Sequence, residues 1–222
     1  MLLPLLASAC LVCAQEAAPA RPVAPYKPYK LDNKVVEELR LPDLAGKEHA
    51  LFAESEGKAL VLVFWSYRDP VSRSYAKQLT ALRDARADKV ALYLVNSNAD
   101  EIAGSGDPLA RMREVVKAEG ITLPLLIDHD NRLADDFAAL ANAQAFVIDA
   151  QHMLRYVGGI DDDPKGEKRK KELPVQAWFE GALDKALKAE KITDNWTRAA
   201  GRPLKRKAKT PPAAEPVPAK QG

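Results

Sequence analysis

The sequence predicts an α/β domain, a central and mostly parallel mixed sheet with helices on both faces. Three observations carry that expectation. Apolar runs of strand length, above all Ala59 to Trp65 and Val90 to Val95, lack the polar alternation of a sheet with one wet face, so both faces of these strands are covered. Segments with a helical apolar period lie between them. The two kinds alternate along the chain, which puts crossover helices between neighbouring parallel strands.

Each element has its own signal. Glu38 to Leu44 alternates as a short strand, and Ala45-Gly46-Lys47 turns the chain into His49-Ala50-Leu51. Ala59 to Trp65 is the first buried strand. Pro70 to Arg86 carries Val71, Tyr75, Leu79 and Leu82 as a helical stripe, and Val90 to Val95 is the second buried strand. Asp107-Pro108 opens a further helix, with Leu109, Met112, Val115 and Val116 inward and Gly120 as its stop. The strand Leu123 to Ile127, the helix Asn131 to Leu140, and the hairpin of Ala145 to Ile148 with Leu154 to Val157 follow. A last helix from Val175 to Ala189 presents Trp178, Phe179, Leu183 and Leu187 on one face.

The chain has 222 residues, 47% of them hydrophobic, enough for one core of roughly 150 residues with tails to spare. Residues 1–14, MLLPLLASACLVCA, are uncharged and apolar, too short to span a bilayer and the right length for a signal-peptide core, with Val12-Cys13-Ala14 at a cleavage position. A buried N-terminal helix and a lipid anchor on Cys10 are the alternative readings. A periplasmic or secreted protein is the expectation. Residues 15–33 are an Ala/Pro-rich linker, residues 34–197 the folded domain, and residues 198–222 a basic, Pro-rich disordered tail. That tail holds seven Lys/Arg against one Glu, or +6, so the rest of the chain is about 2 − 6 = −4.

Both cysteines, Cys10 and Cys13, lie inside the leader, so a chain cleaved after Ala14 has no sulfur nucleophile and no disulfide. His49, His129 and His152 stand singly, without the spacing of a zinc site, and neither a metal nor a cofactor is expected. Asp161-Asp162-Asp163 lacks the glycine and glutamate of a calcium loop and reads as a solvated turn. Lys165 to Lys171 reads as a solvated basic loop. Basic runs without interleaved aromatics, in an exported protein, argue against a nucleic-acid partner.

The phrases LPDLAGKEHAL, ALVLVFW, DPVSRSY, LVNSN, LPLLIDHDNRLADDFAA and AFVIDAQHMLRYVGGIDD, in this order and spacing, resemble the thioredoxin-like redoxin superfamily, with its alkyl hydroperoxide reductases and peroxiredoxin-like proteins. The resemblance covers about Val35 to Lys207 and implies a thioredoxin-like fold. It further implies a cysteine at the start of the helix after the ALVLVFW strand, whose thiolate attacks a disulfide or a peroxide. Aligned on Phe64-Trp65, that cysteine falls on Asp69, and the partner of a Cys-x-x-Cys pair on Ser72. The cis-proline that exposes backbone to a docked peptide falls on Ala143. A tail cysteine of one branch falls on Arg202. Every redox position is replaced.

Asp69 and Pro70 fit the N-cap and first helical position, a structural reading of the altered corner. Trp65 reads as core, and Ser72, without visible histidine and acid partners, as a first-turn residue. No catalytic residue is expected; Tyr67, Arg68 and Asp69 are the candidate binding residues. The expected partner is a protein or peptide at the former active-site groove, with the basic tail on an anionic envelope surface and the chain a monomer. The alternative is a thiol-disulfide oxidoreductase or peroxiredoxin-like enzyme, as the resemblance implies.

Overall fold

The computed structural model describes residues 28–208. The leader with Cys10 and Cys13, the first part of the linker, and residues 209–222 lie outside the described residues, as do the expectations placed on them.

The chain opens with a small antiparallel hairpin, β1 (Arg40–Pro42) against β2 (Glu48–Ala50), with Leu41 opposite His49. Its turn is held by the Asp43 carboxylate, which accepts from the amides of Ala45 and Lys47 at 2.8 and 2.9 Å. Gly46 supplies the positive φ, 81°, that the turn requires. A short helix α1 (Leu51–Glu54) leads into β3 (Ala59–Phe64), whose six residues are all buried. Then come α2 (Pro70–Ala85), β4 (Val90–Asn96), α3 (Ala99–Ile102), α4 (Ala110–Glu119), β5 (Leu125–Ile127) and α5 (Arg132–Asp136). The hairpin β6 (Ala145–Ile148) and β7 (Leu154–Gly158), with α6 (Glu167–Lys170) and α7 (Trp178–Leu187), completes the order.

The main sheet runs β5-β4-β3-β6-β7. β3 pairs with β4 and β4 with β5 in parallel; β6 joins β3, and β7 joins β6, antiparallel. The sheet is mixed, as expected, with β5, β4 and β3 paired in parallel and β6 and β7 paired antiparallel, the last two joined by a tight turn. Pleating splits β3 between two core layers. Val61 and Val63 face a layer with Leu79, Met112, Phe179 and Leu183. Leu60, Leu62 and Phe64 face the other, with Phe52, Leu133, Phe137 and Phe146. Helices thus cover both faces, the condition that made these strands continuously apolar.

Several boundaries differ from the sequence reading. The linker is expected to run to residue 33, yet Tyr29 already donates its amide to Asp136 O at 2.8 Å and sets its ring 5.3 Å from that of Phe137, tilted by 50°. The helix expected to Leu140 stops at Asp136, where Ala138 takes a φ of 48° that no helix continues through. Asp107 accepts the Leu109 amide at 3.2 Å, but regular helix begins only at Ala110. The tail expected from residue 198 is, up to residue 208, part of the fold: Val157 bridges Trp196 beside β7, Ala141 bridges Pro203, and Leu204 is buried in the second core layer.

The acidic turn is also corrected; of the basic loop, Lys168 and Arg169 turn to it, while Lys165, Lys170 and Lys171 are exposed as expected. Asp161 and Asp163 are buried, and Arg169 from α6 binds both, at 2.6 and 3.3 Å. Tyr75 of α2 donates to Asp161 at 2.6 Å, and Lys168 pairs with Asp162. Two opposite charge runs, each legible as solvated alone, neutralise one another across one loop.

Candidate functional site

The site lies where β3 ends and α2 begins, at Trp65 to Ser72. Trp65 is fully buried, in the core as its composition suggests. Asp69 is the N-cap of α2, with Oδ2 accepting the Ser72 amide at 3.2 Å and Pro70 at the first helical position, where a missing N–H costs nothing. Its other oxygen, Oδ1, is buried without a hydrogen-bond partner among the described residues. The Ser72 hydroxyl is spent on the backbone: it accepts from Ser66 N at 3.2 Å and lies 3.0 Å from Ser66 O and 3.1 Å from Asp69 O. A hydroxyl so occupied staples the corner shut and presents no nucleophile.

Beneath the corner runs a buried polar network. Ser66 Oγ accepts the amides of Arg68 and Asp69 at 3.0 and 3.1 Å and donates to the Glu101 carboxylate on α3. The second Glu101 oxygen accepts from Asn96 Nδ2 at 2.7 Å. Burial raises the pKa of the Glu101 carboxyl above the usual carboxylate range, although the bonds from Ser66 and Asn96 oppose the shift. Asn96 Oδ1 accepts the Asn98 backbone amide at 2.9 Å, and the Asn98 side chain donates to Asn142 Oδ1 at 3.0 Å. Asn142 belongs to the loop before β6. There Ala143 has a trans peptide and a φ of 55°, and donates its amide to Phe64 O at 2.7 Å. A left-handed alanine costs about 1 kcal/mol and persists only where its surroundings hold it.

The surface residues of the corner bind one another. Arg68 donates Nε to the Tyr67 hydroxyl at 3.1 Å, lies 5.3 Å from the Tyr67 ring centroid, and pairs with Asp100 at 3.1 Å. The structure thus brings Tyr67, Arg68, Asp69 and Ser72 to one corner, with Ala143 in the adjoining loop. Arg202 joins them from the far end of the domain, its guanidinium 3.4 Å from Arg68 O.

Arg202 arrives on a segment that closes the groove. Residues 198–207 cross over the corner, and Gly201 sits so close that a β-carbon there would lie 2.1 Å from Asn142 O and 2.7 Å from Asp69 Oδ2. Only 1% of Asp69 is exposed. Asn142 donates both its backbone and side-chain N–H to Arg202 O, at 2.8 and 3.1 Å. The groove backbone expected to meet a partner is thus paired with the chain's own C-terminal segment.

Sequence reasoning missed Ser66, Glu101, Asn96, Asn98 and Asn142. The available signal was the polar run Asn96-Ser97-Asn98 directly after a fully buried strand, a place where side-chain amides are either satisfied internally or turned to a ligand. Among the described residues no group of three or more His, Cys, Asp or Glu is placed to hold a metal ion, and no helix is long and apolar enough to cross a membrane.

The AhpC/TSA family model matches residues 33–157, more than half of the chain. Among solved structures, a hypothetical protein from Sinorhizobium meliloti 1021 is 24% identical, with a TM-score of 0.68, over 83% of this chain and 98% of that one. An uncharacterized conserved protein from Geobacillus kaustophilus is 20% identical, with a TM-score of 0.69, over 86% of this chain and 100% of that one. These likenesses are of fold, which is thioredoxin-like. Comparison with curated proteins gave no match.

Proposed function

The chain belongs to the AhpC/TSA family, and we propose that it is a redoxin domain without the family's thiol chemistry, exported and serving as a binding or accessory module. The observation that carries this reading is Asp69. At the helix start where the family resemblance places the attacking cysteine stands a buried carboxylate that caps α2, under a segment of the chain itself. A carboxylate forms no disulfide, and Ser72, at the partner position, holds the backbone.

The pocket that would activate a thiolate is still present in outline. The Ser72 amide in the first turn of α2 points at the side chain of residue 69, as a helix N-terminal amide would at a thiolate whose pKa it depresses. What has changed is the group at their focus and its access to solvent. Fold without the reacting group supports binding rather than turnover. Export rests on the apolar leader alone.

The test uses the purified full chain and its processed form, with N-terminal sequencing to locate the mature end. Thiol titration, disulfide reduction and peroxide consumption are measured together. The expected result is no turnover above buffer in either form; turnover by the processed form overturns the reading. The Asp69→Cys, Ala143→Pro double variant, used beside wild type in affinity capture from envelope extract, separates a partner of this surface from one that needs the family's chemistry.

A further inference from the structure

Resting on the reading just given, we propose that the groove beside Asp69 is a docking channel for an extended, basic peptide, with residues 201–206 of the chain's own C-terminal segment as its resident occupant. The pairing is that of a strand added to a short open edge: Leu204 N donates to Leu140 O at 3.0 Å, Asn142 N donates to Arg202 O at 2.8 Å, and Ala141 opposes Pro203 antiparallel. Pro203 falls between those two bonds, where its lack of an N–H is harmless.

The rest of the channel reads backbone through side chains. Asn98 Oδ1 accepts the Lys205 amide at 3.1 Å and Asn131 Oδ1 the Lys207 amide at 2.6 Å, while Ala99 N donates to Lys205 O at 2.7 Å. Asn98, Asn131 and Asn142 are all buried and come from three different loops. Their bonds hold any extended chain, and three positions add selectivity. Position 201 admits only glycine, against Asn142 O and Asp69. Leu204 enters the apolar layer that contains Leu133, Ala139 and Phe146. Arg206 is held by the Asp135 carboxylate and by the carbonyls of Ala134 and Ala139. Lys205 is exposed, and Arg202 and Lys207, though exposed, reach Arg68 O at 3.4 Å and the Asp130 carboxylate at 3.3 Å. The channel therefore specifies Gly-x-x-Leu-x-Arg in extended form, with proline tolerated at the third position, and the wild-type chain is closed until that segment leaves.

The experiment frees the channel in the full chain with the pair Leu204→Asp and Arg206→Glu, then adds a fluorescent peptide of residues 198–208 and reads anisotropy. The variant is expected to bind the peptide, the wild-type chain to take up none over the same range, and a peptide carrying Leu204→Asp to bind at least about tenfold more weakly, since it carries a charge into an apolar site. A variant that melts cooperatively and fails to bind the wild-type peptide overturns the proposal.

If the double variant does not fold, a protease site between Lys188 and Lys191, in an exposed turn, allows the wild-type chain to be cut after folding. The C-terminal piece is then expected to stay associated and to exchange for excess labelled peptide of residues 195–208; shedding without uptake of label overturns the proposal. Redox turnover with intact peptide binding defeats only the thiol-silent reading above. Silent redox assays with no peptide binding defeat only the channel.

Discussion

The α-hydrogen side of Gly201 faces Asp69 and the carbonyl of Asn142 so closely that a β-carbon would lie 2.7 Å from Asp69 Oδ2 and 2.1 Å from Asn142 O. Backbone cannot recede from backbone without moving the loop before β6, so Gly201→Ala should lift the C-terminal segment. The expected loss is about 2 kcal/mol in urea unfolding, in the range of other overpacked sites. Proteolysis at Lys205 and Lys207 should quicken. Unchanged stability and cleavage would remove the close contact from the account.

Asp69 contributes as a cap. Asp69→Ala should cost about 1 kcal/mol, and Asp69→Ser should recover most of it, because a serine oxygen can accept the same Ser72 amide. Equal losses in the two variants would mean that the capping bond contributes nothing.

His49 lies between two carboxylates, Nδ1 2.8 Å from Glu54 and Nε2 3.2 Å from Asp43, with the Tyr93 hydroxyl 3.0 Å from the same Glu54 oxygen. Both ring nitrogens can donate only in the imidazolium. Burial alone would lower its pKa; the bonds to Glu54 and Asp43 prevail and raise it. A raised histidine stabilises the fold fully below its unfolded value, about 6.5, and that stability is lost as pH rises through the folded value. Stability from urea unfolding should therefore fall as pH rises above about 6.5 and through the raised folded value, and His49→Gln should abolish that slope. A slope that survives the substitution sinks the assignment.

Asp136 pulls in the same direction for a different reason. Burial raises its pKa to about 6, against the opposing charge of Arg132. A carboxyl raised above its unfolded value of about 3.9 destabilises the fold once both states are ionised, and the cost fades as pH falls through 6 toward 4. Asp136→Asn should stabilise the protein by about 1–2 kcal/mol at pH 8 and leave it unchanged near pH 4. Calorimetric melting at both pH values reads the difference.

Tyr75→Phe removes the 2.6 Å bond to Asp161 and leaves that buried carboxylate to Arg169 and the Asp163 amide. A loss of about 1–2 kcal/mol is expected. A double-mutant cycle with Asp161→Ala should return most of that loss as coupling, since the two side chains share one contact. Additive losses would show that they do not.

Local chemistry alone determined much of this protein. The six-residue apolar run of β3 fits a strand covered on both faces, Asp69-Pro70 starts a helix, and the Gly120 stop, with its φ of 63°, needs no distant partner. Those signals act within a turn or two of chain, so they survive when the sequence is read in isolation. Tertiary structure decided the fate of the charged and polar stretches. Residues 198–207 are basic and interrupted by proline, the composition of a solvated tail, and become ordered because asparagines from three separate loops bind their backbone and glycine permits the approach. Asp161 and Asp163 are buried because Arg169 and Tyr75 meet them there. Whether a polar group is exposed or satisfied depends on partners far away in sequence, and only the folded chain brings those partners within hydrogen-bonding distance.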